Sequence, residues 1–346
     1  MRKLLTAATT LLICLGTAGS AAAATPRGFY GIVPAADPTE AEFTRMADGK
    51  VGTLRLNFSW ESVQPTGPGS FDWARYDSLI GQAAQSGIMV LPTIYGSPSW
   101  AAAKPQYPPQ GARLADFRTF VQAAADRYGP SGDFWSLNPQ LPRREIFDWQ
   151  LWNEVNSPSF WLPTPNPKQY KQLALAARAG LDAAAPGTRL VMAGLFLTPR
   201  VKNGVFLTKY LAGLYKLGGK NLFDSVSMHP YSPTPRRALN AIEQVRALLG
   251  ELKDKRKPLW LTEVGWSTGG TKTPLTVSLK VQAKYLRETF KLAAANRKRY
   301  RIAGVVWYSL RDVPGPVWFN STGLFTASGA AKPSWHAFAA LTGGIP

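Results

Sequence analysis

Eight short apolar runs recur along the chain, each followed by a longer stretch of helical periodicity, and this alternation limits the fold more than any other feature. The runs occupy residues 29–33, 51–58, 88–94, 146–152, 189–194, 223–228, 259–262 and 302–308. Several are close to continuous in hydrophobicity, as strands covered on both faces must be. Helical patterns fall at 38–48, 73–86, 114–128, 170–184, 205–217, 237–249, 278–296 and 334–341. A strand-helix unit repeated eight times predicts an α/β chain with one domain, a single (β/α)8 TIM barrel. The structural rival is an open doubly wound sheet, which the lack of a Gly-rich dinucleotide fingerprint after any strand weakens. There is no internal repeat, linker or low-complexity tract.

The start of the chain has a different character. Met1-Arg2-Lys3 is basic, residues 4–16 are largely apolar, and Ala21 to Ala24 supply small residues for cleavage. Residues 1–24 are therefore expected to be a secretory signal peptide, leaving 25–346 as the folded domain of a secreted protein. The apolar run is too short to span a membrane as a retained helix. Cys14, the only cysteine, lies inside that segment, so the mature chain is expected to fold without a disulfide. A lipid anchor at Cys14 would want a small residue before it, where Ile13 stands.

A formal net charge of +19 raises three partners: an acidic polymer, a nucleic acid or an anionic cell surface. The densest basic clusters, 253–257 and 297–301, come just before strands, at the amino-terminal end of a barrel and away from its reactive rim. They fit a solvated basic surface, and no nucleic-acid motif accompanies them. An anionic glycan is left open as substrate, and the expected state is a monomer.

Two of the apolar runs end in acids. Phe147 to Asn156 passes through Trp152-Asn153-Glu154, and Pro258 to Trp266 passes through Thr262-Glu263-Val264. Each places one carboxylate at the carboxyl end of a buried strand, where parallel barrels carry their chemistry. Two carboxylates facing one cleft suggest glycoside cleavage, which in its retaining form needs one carboxyl protonated and one ionised about 5 Å apart. Arg55 stands inside the second apolar run, where an unpaired cation is costly. It wants a carboxylate, and Glu263 is one use for it, a different structural acid the other. His229 and Tyr231 close the sixth run, where each can hydrogen-bond a carboxylate or a sugar hydroxyl. Two histidines and no mature cysteine give no clustered metal ligands, so neither metal nor other cofactor is expected.

With those residues in place, the sequence resembles the clan of retaining glycoside hydrolases built on (β/α)8 barrels, clan GH-A. It is most similar to family 39, which includes β-xylosidases and α-iduronidases, with the cellulase-like family 5 next. The resemblance runs over nearly all of residues 25–346 and includes Gly69 to Trp73, Asp126 to Gly129 and Met228-His229-Pro230-Tyr231. It implies that Glu154 is the acid/base, that Glu263 is the nucleophile, and that Asn153 donates to the sugar 2-hydroxyl. It also implies that Arg55 holds Glu263 ionised and that Trp307, at the end of strand eight, is a platform for the sugar beside the cleaved bond. Trp100, Trp161, Trp266 and Trp318 are further candidates for the cleft, in carboxyl-side loops whose prolines suit rigid walls. The chain departs from the family's usual form at 132–144, a longer insert before strand four.

The expected function is cleavage of a β-linked oligo- or polysaccharide by two glutamates through a covalent intermediate. A glycan-binding barrel without catalysis is the alternative from another class, and a transglycosylase would use the same residues.

Overall fold

The structure, a computed structural model, describes residues 25–198 and 201–346. The segment expected to be a signal peptide, 1–24, lies outside the described residues. The eight apolar runs form strands β1 (Tyr30–Val33), β2 (Thr53–Ser59), β3 (Met89–Tyr95), β4 (Asp148–Leu151), β5 (Arg189–Phe196), β6 (Ser225–His229), β7 (Leu259–Val264) and β8 (Ile302–Tyr308). Each lies parallel to the next, and β8 pairs back onto β1 through Tyr30 to Val33 against Val305 to Tyr308, which closes the barrel. Closure disposes of the open-sheet alternative.

Helices α1 (Glu40–Asp48), α2 (Ala74–Gln85), α3 (Arg113–Tyr128), α4 (Pro167–Ala184), α5 (Leu207–Lys216), α6 (Pro235–Glu251), α7 (Leu279–Ala295) and α8 (Pro333–Thr342) follow the strands one by one. Local chemistry starts several of them. Thr39 and Glu42 form a reciprocal capping box on α1. Asn166 accepts from Lys168 N and Gln169 N at the start of α4, with Pro167 in the first turn, so that helix begins three residues earlier than its apolar period suggests. Shorter helices at Trp60–Val63, Asp133–Leu137 and Arg297–Tyr300 are too brief to show a period in sequence. The insert at 132–144 contains one of them, whose Phe134 and Trp135 are buried beside Tyr128 ahead of β4, so it thickens the amino-terminal side.

Strand alternation sends one set of side chains outward to the helices and the other into the barrel. Leu54, Leu56 and Phe58 of β2 are buried, and Phe58 meets Tyr76 of α2 and Phe120 of α3. Inside, the lower barrel is apolar, with Leu91, Val191 and Trp260 packed together. A Cβ at position 304 would fall 2.3 Å from the Trp260 ring, so the glycine of β8 leaves room for that indole. Above this plug the interior turns polar, with Arg55, Thr93, Gln150, Ser227 and Thr262 all buried and hydrogen-bonded to one another. The polar end is the carboxyl end of the strands.

Candidate active site

Glu154 follows β4 through a strained turn. Trp152 and Glu154 both have positive φ, 68° and 37°, a region that costs a non-glycine residue about 1–3 kcal/mol. The buried Trp152 indole anchors the turn by donating to the Phe160 carbonyl at 2.7 Å, and the Glu154 N–H donates to the Gly194 carbonyl at 3.2 Å. The strain turns Glu154 into the barrel mouth, where its side chain keeps 17% exposure. Glu263 arrives differently. The register between β7 and β8 shifts between Leu261 and Val264, and across that irregularity the consecutive residues Thr262 and Glu263 both reach inner partners.

Glu154, His229 and Glu263 each offer an atom within 4.8 Å of the others. That separation suits the retaining arrangement of two carboxyls and is well below the roughly 6.5–9.5 Å that an inverting pair needs for its water. Arg55 Nη1 lies 2.7 Å from Glu263 Oε1, and the Tyr231 hydroxyl donates to Oε2 at 2.9 Å. Burial pushes the Glu263 carboxyl up. The neighbouring His229 and Arg55, with the hydrogen bonds from Tyr231 and Arg55, outweigh it and hold the group below the usual range. Tyr231 itself is pushed well above the ordinary phenol value, first by burial and then by Glu263, and stays a neutral donor.

Of the residues anticipated from sequence, the structure brings Arg55, Asn153, Glu154, His229, Tyr231 and Glu263 into one cavity of about 610 Å³. Asn153 Oδ1 accepts from Arg55 Nη2 at 2.9 Å, leaving its NH2 as the group that can donate to a ligand. His229 is fully buried, and its Nδ1 lies 2.8 Å from Glu154 but 3.6 Å from Glu263, so it serves the first carboxylate. Those three ligand atoms would be the place to hold a metal, yet a guanidinium fixed on Glu263 opposes a cation there.

Four of the tryptophans expected at the cleft are not among its lining residues. Trp307 is fully buried, donates to the Thr322 carbonyl and packs between Trp266 and Phe290 of α7, so it is core and no platform. The aromatic of β8 that lines the cavity is its neighbour Tyr308, on the opposite face of the strand. Trp100 donates to the Gln64 carbonyl and packs edge-on against Trp60, away from the cavity. Its loop, 96–112, contributes no lining residue, Tyr95 belonging to the end of β3, whereas the loop after β4 contributes Ser157, Ser159 and Phe160. Trp161 and Trp266 are likewise buried in the core, and Trp318 alone of the loop tryptophans lines the cavity, beside Phe319.

Sequence reasoning passed over Gln150, which accepts from Arg55 Nε at 2.6 Å and from Thr93 at 3.0 Å. A polar residue in the apolar run of β4 was the same signal that drew attention to Arg55. Tyr95 and Tyr308 were also missed; burial raises both phenols, that of Tyr95 to about 12.

No protein-family model matches the chain, and no curated protein matches it by sequence. Solved structures do. A family 39 glycoside hydrolase from the gut symbiont Bacteroides cellulosilyticus is 20% identical with a TM-score of 0.68, over 92% of this chain and 63% of that one. A monomeric β-xylosidase from Caulobacter crescentus is 19% identical with a TM-score of 0.66, over 90% and 68% of the two chains. A GH5_18 protein from Bifidobacterium longum in complex with Manb1-4GlcNAc is 17% identical with a TM-score of 0.64, over 91% and 78%. The chain shares the fold of these hydrolases. It spans about two thirds of the length of the first two.

Proposed function

We propose that the protein is a retaining glycosidase that cleaves a β-linked oligo- or polysaccharide. The observation that carries this reading is the pair of carboxylates with oxygens within 4.8 Å, one of them held ionised by Arg55 and Tyr231, at the floor of a cavity large enough for a sugar. Protonated Glu154 gives its proton to the glycosidic oxygen while a Glu263 oxygen attacks the anomeric carbon. The bond to the leaving oxygen breaks as the glycosyl ester forms. Glu154, now a carboxylate, takes a proton from water, the water oxygen attacks the same carbon, and Glu263 departs ionised.

Arg55 is the only Lys or Arg among the described lining residues, and it is committed to Glu263. This supports a neutral sugar at the point of cleavage despite the basic surface. The β-xylosidase, a glucosidase from Croceicoccus marinus and the protein holding Manb1-4GlcNAc, all sharing the fold, support the same class of substrate. Trp318, Phe319 and Phe160 supply apolar faces against which sugar rings pack.

Export belongs to the same reading, supported by the basic, apolar and small-residue order of residues 1–24. Cleavage after Ala24 would give a mature protein beginning at Thr25, which amino-terminal sequencing of secreted material checks.

The deciding experiment is reducing-sugar release from a panel of neutral and acidic polysaccharides, with Glu263→Ala as the blank. Release from one polymer, lost in the variant, with the β-anomer appearing first by proton NMR, is the expected result. Activity retained by Glu263→Ala, or first appearance of the inverted anomer, would sink the assignment.

A further inference from the structure

The buried polar layer beneath the two glutamates is a single chain of hydrogen bonds whose direction can be worked out from one end. Arg55 Nε can only donate, and it lies 2.6 Å from Gln150 Oε1, which fixes that atom as oxygen. The other end of the amide is therefore NH2, with Ser227 Oγ at 2.7 Å, Met192 O at 3.2 Å and Thr262 Oγ1 at 3.3 Å. Ser227 gives its own hydrogen to the Met192 carbonyl at 2.7 Å and so accepts from Gln150. Among the described residues, Thr262 Oγ1 has two neighbours within hydrogen-bond distance, Gln150 Nε2, which only donates, and His229 Nε2 at 3.1 Å. Thr262 is fully buried. If His229 Nε2 carried a hydrogen, the Thr262 hydroxyl would have no acceptor among the described residues, a costly loss inside a barrel. Thr262 must donate to Nε2, and the remaining ring nitrogen, Nδ1, then carries the hydrogen that meets Glu154 Oε1 at 2.8 Å.

We propose that Gln150 and Thr262 are positioning residues that hold His229 neutral in its Nδ1–H form, with that N–H given to Glu154 Oε1. One consequence rests on the glycosidase reading: with Oε1 occupied as an acceptor, the acid proton of Glu154 is carried on Oε2, the oxygen left to meet a leaving group. A second is electrostatic. A neutral ring leaves Arg55 and Tyr231 as the groups that keep Glu263 ionised, so the same arginine orders both carboxylates, one by direct contact and one through Gln150, Thr262 and His229. The groups facing His229 are Glu154 from the end of β4, Glu263 from β7 with Arg55 of β2 behind it, and Tyr231 after β6.

The chain has two histidines, so the test is direct. Protein labelled with 15N-histidine gives two ring patterns in a long-range proton–nitrogen correlation spectrum at pH 7, and His336→Gln assigns the exposed one. The expected pattern for His229 is a protonated Nδ1 and a bare, hydrogen-bonded Nε2. Thr262→Val should abolish that pattern, and Thr262→Ser, which keeps the hydroxyl, should restore it. An Nε2–H tautomer or a doubly protonated ring in the wild type overturns the proposal, as does an unchanged pattern in Thr262→Val. The measurement needs no substrate. A protein with the expected tautomer that cleaves no glycan would refute the glycosidase reading and leave this one standing.

Discussion

At the scale of single residues, the site depends on keeping one carboxylate charged in a place that disfavours charge. Glu263 keeps 12% of its side chain exposed, so only its partners make ionisation favourable. Arg55→Met should therefore raise the Glu263 pKa, and the acid limb of the pH profile of kcat/KM should move up by about one unit or more, because an adjacent cation typically lowers a carboxyl by 1–3 units. A profile that kept its acid limb while losing height would place the role of Arg55 elsewhere. Stability carries the same information. The folded pKa of Glu263 lies below its unfolded value, so its contribution is complete above the unfolded pKa, about 4.3, and is lost as pH falls through the folded one. Urea midpoints of wild type and Glu263→Gln should keep a constant gap from pH 7 to about 5, and the gap should shrink in the wild type's disfavour below about pH 4. Arg55, Glu154 and Glu263 were legible in sequence because a charge inside or ending an apolar run has few explanations. Trp307 misled because the residue that faces the cavity, Tyr308, differs from it by one step of strand alternation, and a run of apolar residues does not say which face is which.

At the scale of elements, strand ends do the positioning. Gly194 of β5 lies beside the His229 ring, and a Cβ there would fall 2.0 Å from His229 Nε2 and 2.7 Å from Thr262 Oγ1. Gly194→Ala should push the ring off Glu154 and, on the proposed acid role of Glu154, lower kcat by about 10²-fold or more, while circular dichroism stays that of the wild type. Full activity in that variant would show that the ring position is not needed. Phe58 tests the outer layer, where it is fully buried among Tyr76, Phe120, Tyr128 and Trp149. Phe58→Ala should cost about 3–5 kcal/mol, read from denaturant midpoints. Neither the irregularity in β7 nor the positive φ of Glu154 could be foreseen. The first arises where two strands of different register meet and the second in the turn that leaves β4, and a single run of residues records neither its neighbour's register nor the path of the chain beyond its end.

At the scale of the whole molecule, the two ends of the barrel have separate tasks. Lys255 and Arg256 are exposed in the turn that leads into β7, at the end opposite the cavity. Lys255→Glu with Arg256→Glu should leave kcat/KM on a neutral substrate unchanged and shift stability by no more than about 0.5 kcal/mol, as surface changes away from special features usually do. A large loss of activity would tie the basic face to substrate capture. Sequence by itself determined the strand-helix alternation, and with it a parallel α/β sheet and the rim at which Glu154 and Glu263 emerge, because burial on both faces imposes a continuous apolar run and a carboxylate that ends such a run stands out. Tertiary structure alone decided that the sheet closes, which aromatics line the cavity, and that Gln150 and Thr262 join the two glutamates in one hydrogen-bonded layer. Those outcomes depend on distances between strands far apart in the chain, such as the 95 positions separating Arg55 from Gln150, and local periodicity carries no such distances.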